Sequence, residues 1–161
     1  MIHFTTALTD DLDTIRQLAQ QIWNDYYTPI IGQQQVDYML TKMYHRDSLL
    51  EQINVKQHQF YMIRKDTLPI GFFSVSSDDG VNYSLHKLYI QLQQTQGGIG
   101  TQCINWIIET LKPKSLTITV NRLNIKAINF YFKNRFTIVK AEDFDIGNGF
   151  KMNDFVMRRL A

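Results

Sequence analysis

Gln96-Gly97-Gly98-Ile99-Gly100-Thr101 follows a strand-like segment and opens an apolar helical pattern. Residues without a side chain at 97, 98 and 100 remove the Cβ atoms that would keep an anion off the backbone, and they allow φ > 0. Successive N–H groups then converge, and the helix that follows adds the equivalent of roughly half a positive charge at its start. Such a turn suits a pyrophosphate. Two better-known phosphate motifs are excluded. A P-loop needs Lys-Ser/Thr after its last glycine, and here Gly100 precedes Thr101-Gln102. A dinucleotide fingerprint belongs to the first strand–helix unit, whereas several strand patterns precede this turn.

Working outward, residues 2–8 read as a strand, and Thr9 and Asp10 as the cap of a helix carrying Leu12, Ile15, Leu18, Ala19, Ile22 and Trp23 through Tyr26. Pro29 and Gly32 break the chain. Helical patterns follow at Val36–Met43 and from Asp47 onward, then a strand at Gln59–Lys65. Ile70–Ser77 and Val81–Ile90 read as antiparallel strands joined by a two-residue turn at Asp79-Gly80. Beyond the glycine turn, Ile104, Ile107, Ile108 and Leu111 mark a helix. Leu116–Val120 is a buried strand, Asn124 opens another helix, and Phe136–Ala141 is a strand. Asn148-Gly149 turns a final hairpin whose second arm, Phe150–Arg159, is expected along the sheet edge. No repeat or linker interrupts the order, which predicts one α/β domain over residues 1–161.

With 161 residues, 44% of them hydrophobic, the chain is long enough for one buried core and short for two. The net charge is +2 with Lys and Arg scattered, which argues against nucleic acid as a partner. Cys103 is the one cysteine and lies within an apolar helical pattern, which predicts an inert buried thiol and fits a reducing cytoplasm. The amino terminus lacks a signal-peptide pattern, and no run approaches the ~18 apolar residues a membrane span needs. His3, His45 and His58 show no zinc-ligand spacing, and no metal is expected.

The two glycine- and asparagine-led stretches together resemble the GNAT superfamily of N-acetyltransferases, which transfer acetyl from acetyl-coenzyme A to an amine. The family pattern has a Leu-Tyr-Val-like strand end before Arg/Gln-x-x-Gly-x-Gly/Ala; here Leu88-Tyr89-Ile90 precedes Gly98-Ile99-Gly100. Its second pattern, Asn-x-x-Ala-x-x-Phe-Tyr-x-x-x-Gly-Phe, is met by Asn124, Ala127, Phe130-Tyr131 and Phe136. Thr95 stands in place of the usual Arg or Gln, and Arg135 in place of the glycine. Gln94 or Gln96 stands near enough to compensate for the first. Asn134 is expected to take the left-handed position that ends the helix.

The resemblance implies a mixed, mostly antiparallel sheet of about six or seven strands flanked by about four or five helices, with splayed strands at the cofactor site. It implies acetyl-coenzyme A as co-substrate: Gln96, Gly97, Gly98, Ile99, Gly100 and Thr101 around the pyrophosphate, the backbone of Leu88, Tyr89 and Ile90 along pantetheine, and an oxyanion held by the amide near Ile90. Asn124, with Ala127, would meet the pantetheine arm, Tyr131 would protonate the leaving thiolate, and Lys126 and Lys133 are available for phosphates. The acceptor amine must lose a proton before it attacks; His86, Glu142 and Asp143 are the candidates, and the sequence does not choose among them. The segment from Trp23 to Met43 offers Tyr26, Tyr27 and Tyr38 as aromatic walls, with Trp23 in the core. Some relatives act on polyamines, and Asp25, Asp37, Asp47 and Glu51 are carboxylates such a substrate would need. A peptide acceptor, or a coenzyme-binding module without turnover, are the alternatives. Pairing of two copies through the C-terminal hairpin stays open.

Overall fold

Apolar residues spaced by two build the strands and those spaced by three and four build the helices. The computed structural model describes all residues, Met1–Ala161. In chain order the elements are β1 (Ile2–Thr6), α1 (Leu12–Ile22), α2 (Gln33–Tyr44), α3 (Arg46–Asn54), β2 (Gln59–Lys65), β3 (Leu68–Ser76), β4 (Asn82–Ile90), α4 (Ile99–Leu111), β5 (Ser115–Asn121), α5 (Ile125–Lys133), β6 (Thr137–Gly147) and β7 (Phe150–Leu160). The strands run in the order β1-β2-β3-β4-β5-β7-β6 in one mostly antiparallel sheet. No helix is long and apolar enough to cross a membrane.

The chain divides into two compact units, Met1–Ser76 with Lys87–Cys103, and Ser77–His86 with Ile104–Ala161. In the first, β1 pairs antiparallel with β2 and β2 with β3, the second ladder shifting register at Ile63/Arg64. Helix α1 buries Leu12, Ile15, Leu18, Ala19 and Ile22, and the strands bury Phe60, Met62, Ile63, Ile70, Phe72 and Phe73. Each large side chain so buried contributes about 1.5–3 kcal/mol. Asp11 fixes the start of α1, one oxygen accepting from the Leu8 N–H at 2.9 Å and the other from Arg64 at 2.8 Å. The expected break at Pro29 is displaced: Trp23–Tyr27 winds on as a π-helical turn, Thr28–Ile31 adds a further turn, and the chain turns at Gly32, φ +83. Proline is tolerated there because a first helical turn does not need its N–H.

In the second unit, Asn82–Leu85 of β4 pairs in parallel with Ser115–Ile118 of β5, and β7 pairs antiparallel with both β5 and β6. Two expectations need correction. The Asp79-Gly80 turn is a longer loop, Ser77–Val81, in which Asp79 Oδ1 accepts from the amides of Val81 (2.9 Å) and Asn82 (2.7 Å). Only Gly80 has positive φ, so the two-residue primed turn does not form. And β7 lies inside the sheet, β6 outside. Strand β7 buries Val156 and Met157 and takes ladder bonds on both sides, whereas β6 is exposed along most of its length and tolerates the edge. Asn148 (φ 54) and Gly149 (φ 76) turn the hairpin as expected.

Candidate active site

The glycine turn is built by a sequence of local bonds. After β4 the Gln91 N–H donates to Ile70 O at 2.9 Å, and a single helical turn, Leu92–Gln94, follows. Thr95, at the position where Arg or Gln was expected, spends its hydroxyl on Leu92 O at 2.9 Å and so closes that turn. Gly97 and Gly98 then take φ of +86 and +70. Gly100 does not; it lies in the first turn of α4, so the left-handed pair is 97 and 98 alone. A Cβ placed on either would meet nothing within 4 Å, so the space beside the turn is open. Ile99, 5% exposed, anchors the turn in the core while Gln96, Gly97, Gly98 and Thr101 stay exposed. The N–H groups of the first turn of α4 have no carbonyl behind them and present the positive end of a 13-residue helix. This geometry suits an anion.

Upstream, Leu88, Tyr89 and Ile90 lie beyond the last pair of the parallel ladder, Leu85↔Ile118. The Tyr89 ring packs against Trp23, Tyr27 and Phe72 at centroid distances of 5.7, 6.0 and 5.6 Å. Its carbonyl is held by a close approach: a Cβ on Gly71 would sit 2.3 Å from Tyr89 O and 3.0 Å from Ile90 Cα. Only glycine at 71 leaves the Tyr89–Ile90 peptide where it is. The sequence signal was an isolated glycine within an apolar strand.

In the second unit, Asn124 is buried and caps α5, its Oδ1 accepting from Ala127 N at 3.1 Å and its own N–H donating to Asn121 O at 2.9 Å. Tyr131 faces inward with Ile128, its ring 5.3 Å from that of Phe136. Lys126 and Lys133 are exposed. The helix ends otherwise than expected. Arg135, not Asn134, adopts the left-handed conformation, φ 66. Asn134 keeps φ −93 because its side chain donates to Phe130 O at 2.9 Å and its carbonyl accepts from Arg159 at 3.2 Å.

Of the expected proton acceptors, Glu142 is engaged by Lys140 at 2.6 Å, Asp143 by Arg122, and His86 is exposed. Two buried ionisable residues escaped the sequence reading. Lys87, 4% exposed on β4, donates to Gln52 Oε1 at 2.6 Å. Asp154, 1% exposed on β7, has an Oδ1 that accepts no hydrogen bond. The hint in each case was a charged residue alternating with apolar ones on a strand. Cys103 is fully buried, and burial pushes its thiol up, so it is inert.

The aromatic segment also has a definite arrangement. Trp23, buried, stacks on Tyr27 at 4.6 Å, and Tyr27 meets Tyr26 edge-on at 5.2 Å. Tyr38 lies under Lys42, whose Nζ is 5.5 Å from the ring centre. Asp25, Asp37, Asp47 and Glu51 are all exposed; Asp37 accepts from Gln33, Asp47 faces His45 and Glu51 pairs with Lys56.

The chain is similar over its whole length to solved acetyltransferases. PaiA N-acetyltransferase from Thermoplasma acidophilum, in complex with coenzyme A, shares 24% identity at a TM-score of 0.83, covering 100% of this chain and 99% of that one. Ard1 from Thermoplasma volcanium shares 15% at 0.75, covering 99% and 97%. The ribosomal-protein-S18-alanine N-acetyltransferase from Escherichia coli shares 12% at 0.74, covering 99% and 94%. No curated protein matches the sequence. The Acetyltransferase (GNAT) family matches residues 16–135 of the 161, and with an anion cradle and a capped tyrosine helix at the family's motif positions, this chain belongs to the GNAT acetyltransferases, acetyl-CoA-dependent N-acetylating enzymes.

Proposed function

We propose that the acceptor is the amine of a small molecule, attacked directly in a ternary complex by way of the residues named above. The observation that carries the cofactor half is the open space beside left-handed Gly97 and Gly98 at the start of α4. Acetyl-coenzyme A, when bound, supplies an acyl group activated as a thioester. The amides from Gly98 to Thr101 hold its pyrophosphate, and the backbone at Leu88 and Ile90 binds the pantetheine. The Ile90 N–H, fixed by the close packing on Gly71, stabilises the oxyanion, a contribution of about 3 kcal/mol. Asn124 donates from Nδ2 to the pantetheine arm, since Oδ1 is committed to Ala127. Tyr131 gives a proton to the departing sulfur, which a buried phenol does without competition from bulk water.

For the acceptor, the aromatic group around Trp23, Tyr26, Tyr27 and Tyr89 supports a compact apolar-bodied amine. A polycation finds less support, because the four carboxylates expected to gather it are exposed and three of them, Asp37, Asp47 and Glu51, each face a different neighbour. The lone buried thiol fits a reducing, cytoplasmic setting. The test is free-thiol release against a panel of alkylamines, spermidine, aminoglycosides, amino acids and short peptides. Turnover of small amines with weak peptide turnover is the expected result; preference for peptides would replace this reading by protein acetylation. Tyr131→Phe should lower kcat about 10²-fold with acetyl-coenzyme A affinity retained. An unchanged kcat would remove Tyr131 from the mechanism.

A further inference from the structure

We propose that Trp23 Nε1 and Tyr44 Oη bind a carboxylate on the acceptor, so that the substrate is a primary amine carrying an acid group on an apolar body. The inference rests on the small-molecule acetyl-transfer reading and names the substrate class that reading leaves open. A buried polar group ordinarily has a hydrogen-bond partner. Trp23 and Tyr44 are each 3% exposed, yet the indole Nε1 and the phenol oxygen have none. The two side chains share one aromatic group. The Tyr44 ring lies 6.2 Å from that of Trp23 and 6.0 Å from that of Phe72, and these two rings lie 5.7 and 5.6 Å from that of Tyr89. Tyr27 and Tyr89 are half-buried and both touch Trp23, so they mark the side from which solvent reaches the group.

Printed contacts tie this group to the coenzyme side. Tyr89 and Ile90 are the strand end whose close approach Gly71 permits. The next residue, Gln91, donates from Nε2 to Gln21 Oε1 at 3.0 Å, which fastens the end of α1 to the segment leading into the glycine turn. Trp23, Tyr44, Tyr89 and the glycines at 97 and 98 all belong to the first unit. Trp23 also opens the π-helical turn Trp23–Tyr27, a winding that recurs at functional sites.

Charge and donor chemistry choose the ligand. An indole N–H only donates. Burial pushes the Tyr44 phenol up, so it keeps its proton and donates as well. The group that meets them must therefore be an acceptor. Lys87 Nζ lies 5.9 Å from the centre of the Tyr44 ring, and burial lowers it only to about 8, which leaves it charged at neutral pH. No carboxylate of the first unit is buried to offset it. An ammonium is disfavoured beside that charge and a carboxylate is favoured. The acid group thus lies toward Tyr44, and the amine points the other way, to the thioester at Ile90.

The experiment compares kcat/KM for matched pairs: ω-amino carboxylates and apolar α-amino acids, each against the alkylamine that lacks the carboxylate. It uses the wild type, Tyr44→Phe and Trp23→Phe, with acetyl-coenzyme A binding by calorimetry. The wild type should favour the carboxylated member of at least one pair by on the order of 100-fold. Each variant should cut that ratio about tenfold, with coenzyme affinity kept. Tyr44→Phe removes an unpaired hydroxyl, so it should melt no lower than the wild type. A wild-type ratio near one, or a ratio that both variants leave unchanged, would overturn the proposal and leave small-amine acetyl transfer standing. A marked loss of stability in Tyr44→Phe would overturn it too, by showing the hydroxyl paired within the fold. A wild type that binds acetyl-coenzyme A but turns over peptides alone, or nothing, would remove the small-molecule reading and this proposal with it.

Discussion

Lys87 in the first unit and Asp154 in the second are both withdrawn from water, and the two interiors treat them differently. The Lys87 ammonium is met by Gln52 Oε1 at 2.6 Å and lies over the rings of Phe60 (5.5 Å) and Tyr44 (5.9 Å), while Gln52 Nε2 is itself anchored to Met43 O at 2.8 Å. His58 beside it is kept neutral, lowered to about 4 by burial and by Lys87 and Lys56. Asp154 has no such shell. A buried ion with a built environment is scaffold; one left short of partners marks a place where stability has been given up, which is characteristic of working sites.

Left-handed non-glycine residues occur in both units, Gln57 and Asp66 in the first taking φ of 55, but one position in each unit differs in how it is filled. In the first unit the tight position is occupied by the residue it requires, Gly71. In the second, the left-handed position after α5 is filled by Arg135, which bears the strain.

The largest expected effect breaks the comparison at Lys87. Lys87→Ala should cost about 3–5 kcal/mol in denaturant melts, by leaving Gln52 Oε1 without its donor and a cavity behind, whereas Lys87→Met, which fills the space and loses only the donor, should cost about 1–3 kcal/mol. Equal losses would mean the charge, not the packing, holds that layer. Next is Gly71→Ala, which should cost about 1–3 kcal/mol and lower kcat more than it raises KM, because the Tyr89 carbonyl must move.

The pH dependence separates the two ions by sign. Burial lowers Lys87 to about 8, so between about pH 8 and 10.5 the unfolded chain binds more protons and stability rises with pH. Burial raises Asp154 to about 6, so between about pH 4 and 6 the folded chain binds more protons and stability falls as pH rises. Asp154→Asn should therefore melt about 1–3 kcal/mol higher than the wild type at pH 7 and show no gain at pH 4. A variant less stable at pH 7 would make Asp154 a structural residue like Lys87. The smallest effect sharpens the backbone contrast: Arg135→Gly should gain about 1 kcal/mol, read as a shift in the denaturant midpoint.

What the sequence made legible was local. The glycine turn, the Asn124 cap and the Asn148-Gly149 hairpin are each decided by the few residues that form them. The misread features are decided by distant partners. Lys87 needs Gln52, Asp154 needs Asn121 and Glu142 alongside it, Gly71 needs the Tyr89 carbonyl, and the inner place of β7 needs two neighbouring strands at once. Arg135 was missed for a related reason: Asn134 is held out of the left-handed region by its own bond to Phe130 and by Arg159 from β7.

The central question is whether the amides at the start of α4 grip the coenzyme. Amide hydrogen exchange resolved by residue, with and without acetyl-coenzyme A, tests this most directly. Marked slowing at Gly98, Ile99, Gly100 and Thr101 on addition of the coenzyme is the predicted result; binding that leaves the exchange of these four amides unchanged would contradict it.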